Sequence, residues 1–285
     1  MLTRVLLVAV ALLAVACSSP AGQPDGGARG GNGGAMGAAG AAGAPDAGRD
    51  AAGNSGGQGP DDALIVPPGL DVELEPGGAG VFDLIALTLR DGPNGLELYA
   101  ALKNVGDVPA CDAALKATLN DQNNQPLGML INGLDTNRLY LYPLPDGSTT
   151  VAACANPGDV VMTSILNMAP DIRVADVGSI VYYYVYFVLD GLTPIDPGLT
   201  ISDVQAVAGP GGTSYTGTFT NGLAMPVSMP SIRIFPVNRV GRPLGVAGAD
   251  ESSQIPAGGT WTFQTGTVDD PGVDYAAFPA ASFSN

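Results

Sequence analysis

Apolar and polar residues alternate along much of the chain beyond residue 80, and the alternation comes twice. The pattern over Leu98–Gly128 returns without a gap at Tyr215–Gly245, 117 positions later. Asn104, Pro109, Pro126, Leu127 and Gly128 have counterparts in Asn221, Pro226, Pro243, Leu244 and Gly245, and Lys116 is answered by Arg233. In the first copy Leu96, Leu98, Ala100 and Leu102 alternate with Glu97, Tyr99, Ala101 and Lys103. A period of two predicts a strand with one buried face. Leu115, Ala117 and Leu119 continue it after a loop over Asn104–Pro109. The second copy keeps the phase, with Tyr215, Gly217 and Phe219 at the inward parity together with Ile232 and Ile234, so the two copies agree in side-chain direction as well as in residue type.

Further strands are predicted at Phe82–Arg90, closed by the turn Asp91-Gly92-Pro93-Asn94-Gly95, and at Leu199–Ala208, Thr260–Thr265 and Asp274–Phe278. Pro145-Asp146-Gly147-Ser148-Thr149 matches Pro256-Ala257-Gly258-Gly259-Thr260 at an offset of 111, each turn opening a strand. That match sets Cys154 beside Thr265. Trp261 shares a face with Phe263, which reads the one tryptophan most simply as a core residue, with sugar stacking as the alternative. Ile180–Leu189 is rich in β-branched and aromatic residues and too short to span a bilayer as a helix. Its Tyr182, Tyr184 and Tyr186 fall on one face, either to meet a ligand or partner or to be covered by a neighbouring module. Val160–Met168 fits a strand or a short helix. Frequent strands without helical crossovers predict antiparallel sandwiches, one over residues 63–190 and one over 191–285, joined by a stiff junction holding Pro194 and Pro197.

The N-terminus has a different character. Arg4 is followed by an apolar run, Val5–Val15, of the length of a signal segment. Leu13-Ala14-Val15-Ala16-Cys17 resembles the bacterial lipobox, which implies removal of residues 1–16 and lipidation of Cys17. Several acyl chains on that cysteine would exceed the one-chain threshold for stable anchoring. Ser18, with no Asp in its place, implies sorting to the outer membrane. Residues 17–62 hold runs such as Gly-Gly-Asn-Gly-Gly and Gly-Ala-Ala-Gly-Ala-Ala-Gly without periodic apolar positions, the composition of a disordered tether.

Composition narrows the chemistry. The formal charge is −16, with 27 acidic and 11 basic residues, a balance that repels nucleic acid. Histidine is absent, which excludes Ser-His-Asp and Cys-His catalysis and removes the commonest zinc ligand. Asp269-Asp270 and Asp61-Asp62 sit in turn-like or tether settings, and no calcium-loop or phosphate-loop motif occurs. No cofactor is expected. With Cys17 assigned to lipid, Cys111 and Cys154 remain, and both are missing from the second copy. In an exported chain they are expected to be bonded to each other, contributing about 2–4 kcal/mol.

A strand ending in Lys103-Asn104 or Thr220-Asn221, a loop, a second strand, a turn before Pro-Leu-Gly and a later Pro-x-Gly-x-Thr together resemble immunoglobulin-like modules of bacterial envelope proteins. They are most similar to the FxLYD domain, with the adhesion-related CARDB domain close behind. The resemblance implies two tandem immunoglobulin-like sandwiches without catalytic residues, displayed for contact with an envelope protein or glycan. A plain structural spacer is the alternative, and a carboxylate-dependent hydrolase a third.

Overall fold

The computed structural model describes residues 66–75, 81–136, 138–166, 171–196 and 198–282. The signal segment, Cys17 and the Gly/Ala-rich stretch lie outside the described residues. The described residues all lie in one compact unit, and both copies of the repeat are in it. The architecture is all-β, built from antiparallel sheets with one parallel pair. In chain order the first half holds β1 (Asp71–Leu74), β2 (Phe82–Gly92), β3 (Gly95–Asn104), β4 (Ala110–Asn120), β5 (Pro126–Gly133), β6 (Arg138–Pro143), β7 (Thr149–Ala155), β8 (Val160–Ile165), β9 (Ser179–Phe187) and β10 (Thr193–Pro194). The second half holds β11 (Leu199–Gly209), β12 (Gly212–Asn221), β13 (Ser228–Val237), β14 (Ala247–Asp250), β15 (Thr260–Gln264) and β16 (Asp274–Ser282). Of Val160–Met168, open between helix and strand from its sequence, Val160–Ile165 forms β8, and residues 167–168 lie outside the described residues.

The repeat is visible in the pairing. β2-β3-β8 form one sheet in the first copy, and β11-β12-β15 form its counterpart. Opposite them β4 lies between β5 and β9 as β13 lies between β14 and β16. The first copy adds a hairpin, β6–β7, joined to β4 through Ala110–Ala155 and Cys111–Cys154. Its edge also takes up β10 from the junction.

That hairpin corrects one sequence match. Pro145–Thr149 is the turn between β6 and β7, with Leu144 N–H donating to Ser148 O at 2.8 Å. The true counterpart of the turn at Pro256–Gly259 is Asn156–Asp159, at an offset of 100. Asp159 N–H donates to Asn156 O and Gly259 N–H to Pro256 O, both at 2.9 Å. Gly158 (φ +85°) and Gly258 (φ +69°) hold the left-handed position in each turn. At that offset Cys154 corresponds to Gln254 and not to Thr265: Val227 pairs with Ile255 as Ala110 pairs with Ala155, and Gln254 Nε2 lies 3.5 Å from the hydroxyl of Ser228, the counterpart of Cys111.

Each copy has its own core. Phe82, Leu98, Leu102, Leu115, Leu119 and Ile180 are central to the first, and Tyr215, Phe219, Ile232, Ile234 and Phe263 to the second. Trp261 packs half-buried at the edge of the second core, 6.1 Å from Phe219 and 6.0 Å from Phe263 between ring centroids. A third cluster corrects the reading of β3. Its face with Glu97, Tyr99 and Ala101, expected at the surface, is buried. Ala86, Ala101 and Met162 from the first copy pack with Phe235, Val237 and Phe278 from the second. The two copies thus share an apolar contact, and β3 is covered on both sides.

Candidate functional site

The tyrosine strand β9 lies inside its sheet, beside β1 and β4. Its tyrosine face turns inward. Tyr182 and Tyr184 are buried, the Tyr184 hydroxyl donates to Phe82 O, and the half-buried Tyr186 packs against the same core. Burial pushes the Tyr184 hydroxyl up to about 12. Of the two alternatives open for Tyr182, Tyr184 and Tyr186, an interaction face is therefore corrected: the rings are covered and pack in the first core with Phe82 of β2 and Val72 of β1.

The opposite face of the same strand is the one presented outward. Val181, Tyr183, Val185 and Phe187 lie there, with Phe187 61% and Val185 47% exposed. Pairing continues this face across the sheet. Ile131 of β5, Lys116 of β4 and Tyr183 stand in one row, and Met129, Thr118 and Val181 in the next. Met129 and Ile131 are more than half exposed. Lys116 is the one cation of these rows, and its Nζ sits 4.6 Å from the centroid of the Tyr183 ring, where the ring's negative face offsets part of its charge. The result is a three-stranded surface, largely aliphatic, with Lys116 on its middle strand against Tyr183 and Phe187 at one end.

Cys111 and Cys154 are bonded, as expected, and anchor the added hairpin to β4. Near the contact between the copies a cleft of about 440 Å³ is lined by Ile131, Asn132, Leu166, Arg233 and Val246. Arg233 lies 3.6 Å from Asp250 and also acts on Asp135, whose carboxyl is pushed up to about 6 by burial, with the Arg233 charge opposing. Among the described residues no group of three or more Cys, Asp or Glu is placed to hold a metal ion. No helix among them is long and apolar enough to cross a membrane.

Two polar features go beyond the sequence reading. Asn104 and Asn221 are fully buried, and each bonds both the backbone of its own loop and that of a second loop. Asn104 Nδ2 donates to Val108 O at 3.1 Å and Ala155 O at 2.9 Å, and its Oδ1 accepts from Gly106 N–H at 2.9 Å. Asn221 Nδ2 contacts Met225 O, Ile255 O and Pro256 O at 2.9–3.1 Å, and Oδ1 accepts from Leu223 N–H at 3.0 Å. The recurrence of Asn at the same place in both copies is the signal that could have found this clamp. The second feature lies between the copies. Arg90 Nε pairs with Glu97 Oε2 at 2.7 Å, Tyr99 donates to the same oxygen at 2.6 Å, and Arg90 Nη1 donates to Leu244 O at 3.2 Å. Arg242 Nε donates to the Thr88 hydroxyl at 2.8 Å, and that hydroxyl donates to Pro243 O. The Pro-Leu-Gly element of the second copy thus caps the polar end of β3.

No family model and no curated protein matches the chain. Among solved structures with some likeness in shape is red sea bream transglutaminase, 10% identical, with 73% of this chain and 32% of that chain covered and a TM-score of 0.17. The chain spans about a third of that enzyme's length, and a likeness at that level carries no argument.

Proposed function

We propose that the chain is a non-catalytic envelope lipoprotein, held to the outer membrane through acylated Cys17, that presents tandem immunoglobulin-like modules for contact with another protein. The observation that supports the reading best is the exposed apolar face of β4, β5 and β9, with Met129, Ile131, Val185 and Phe187 outermost. Scattered apolar residues at a surface are ordinary, but adjacent ones across three strands mark an interaction surface. Aliphatic side chains around one shielded cation favour a protein partner over a glycan, which would call for several open aromatic rings and polar groups.

The test is site-directed photocrosslinking in cells of the full-length protein, with the reactive side chain at Val185 or Phe187 and, as control, at exposed Thr262 on β15. Discrete adducts from the β9 positions alone are expected, and Phe187→Glu together with Ile131→Lys should abolish those formed at Val185. Adducts no different from the Thr262 control would sink the reading in favour of a spacer. Labelling with a fatty-acid probe, lost in Cys17→Ser, tests the anchor separately.

A further inference from the structure

The two copies differ at one sheet edge. In the first, β1 runs parallel to β9, pairing Asp71 with Ser179, Val72 with Ile180 and Leu74 with Tyr182. Asp71 N–H donates to Gly178 O and Glu75 N–H to Tyr182 O. Val66, Leu70 and Val72 of this segment pack on the core, and Ile180 is completely buried beneath them. The counterpart of β9 is β16, with Tyr275 in the place of Ile180 and Ala277 in the place of Tyr182, as their pairing with β13 and β4 fixes. Among the described residues β13 alone pairs with β16.

The consequences of that open lane are visible around it. Tyr275 is 40% exposed where Ile180 is sealed. On the facing sheet Leu87 and Leu89 are buried, whereas their counterparts Val204 and Ala206 are half-buried and exposed. The backbone is affected too. Tyr275 N–H points away from β13 and is held at 2.8 Å by the carboxylate of its own neighbour, Asp274. In register, the next outward donor is that of Ala277. The one after it would belong to Pro279, which has none, so the lane ends where the pairing of β1 ends in the first copy.

We infer that the outer edge of β16 receives an extended segment of a partner protein, aliphatic on the face toward Val204 and Ala206 and basic on the other. Strand addition of this kind draws affinity from main-chain hydrogen bonds and selectivity from alternate side chains. The first copy shows the geometry: a short parallel strand with aliphatic residues two apart. Among the described residues no strand of this chain fills the lane, and the junction before β11 is used by β10 on the first copy's sheet. Charge argues against a second copy. Exposed Asp274 lies at the start of the lane, and Asp270-Pro271 sits against the Tyr215–Tyr275 pair through the Tyr215 hydroxyl bond to Pro271 O at 2.9 Å. The chain's own β1 segment carries Asp71, Glu73 and Glu75 and would meet those carboxylates.

The probe is a synthetic peptide of Val66–Glu75 with Asp71→Lys, Glu73→Lys and Glu75→Lys, titrated into the full-length protein while amide exchange is followed residue by residue. Exchange at Tyr275 and Ala277 should slow by about tenfold or more at saturation. Ala277→Pro removes an outward donor without touching the β13 ladder, so its far-ultraviolet spectrum should be unchanged while peptide protection at Tyr275 is lost. Unchanged exchange with the peptide, or equal protection in Ala277→Pro, would overturn the inference. Equal protection by the unaltered acidic peptide would overturn the basic character assigned to the partner.

Discussion

Replacing Asn221 by Ala tests whether the repeated asparagine is a structural clamp. The substitution removes the two N–H donors that serve Met225 O, Ile255 O and Pro256 O, and the acceptor that serves Leu223 N–H, all at a residue with no solvent exposure. Each hydrogen bond is worth about 1 kcal/mol net, and each buried group left without a partner costs about 1–3 kcal/mol. The loss should therefore be about 3–5 kcal/mol, a large share of the roughly 5–15 kcal/mol that holds a typical domain folded. Urea unfolding followed by the fluorescence of Trp261, which packs in the same core, should move its midpoint down by about 2 M at a slope near 2 kcal/mol/M. Asn221→Asp sharpens the test. It keeps the acceptor for Leu223 N–H but sets a carboxylate against carbonyl oxygens, so it should be worse than Ala at pH 7 and recover part of the loss in acid. A loss below about 1 kcal/mol for Asn221→Ala would show that the loops hold together without the side chain and refute the reasoning.

Replacing Cys111 and Cys154 by Ser together opens a loop whose ends are 43 residues apart, for which chain entropy gives a loss of about 4 kcal/mol; an unfolding midpoint unmoved by the double variant would count against it. Asp135→Asn reads the raised carboxyl pKa. The unfolded chain deprotonates near the ordinary value of 3.8 and the folded one only near 6, so burial of this group lowers stability as pH rises between them. The deficit, about 3 kcal/mol, is complete above that window and absent below it. The variant should thus equal the parent at pH 3.5 and exceed it at pH 7, and parallel stability curves at the two pH values would sink the assignment.

Much of the strand pattern was legible because alternation is a local consequence of the pleat. The parity of Tyr215, Phe219, Ile232 and Ile234 placed all four in the core without any knowledge of pairing. The same rule separated Tyr182 and Tyr184 from Tyr183 and Val185, but it could not say which side was inside. Both faces of β9 are apolar, and the choice belongs to β1 and β2, which close over one of them. The sequence reading therefore left the tyrosine face open between contact and covering, and the outward face of Val185 and Phe187 was not considered. The offset of 111 failed for a related reason. Proline and glycine suit any tight turn, so a Pro-x-Gly match identifies a turn but not its place, whereas Asn104 and Asn221 were matched because they lie within the ungapped repeat.

The burial of both faces of β3 was out of reach for a different reason: the residues that bury it lie in the other copy. Glu97 and Tyr99 have the composition of a solvent face, and on an isolated sandwich they would be one. What makes their burial tolerable is that Arg90 neutralises Glu97, Tyr99 donates to the same carboxylate, and Leu244 O accepts a hydrogen bond from Arg90 Nη1. A charge removed from water without such partners costs several kcal/mol. The contact therefore depends on Pro243-Leu244-Gly245 as much as on β3. The duplicated element that helped to reveal the repeat does different work in its two settings: in the second copy it docks against the first, while Pro126-Leu127-Gly128 opens the edge strand β5 and packs Leu127 on its own core. Duplication supplied the same residues twice, and the contact between the copies made them unequal.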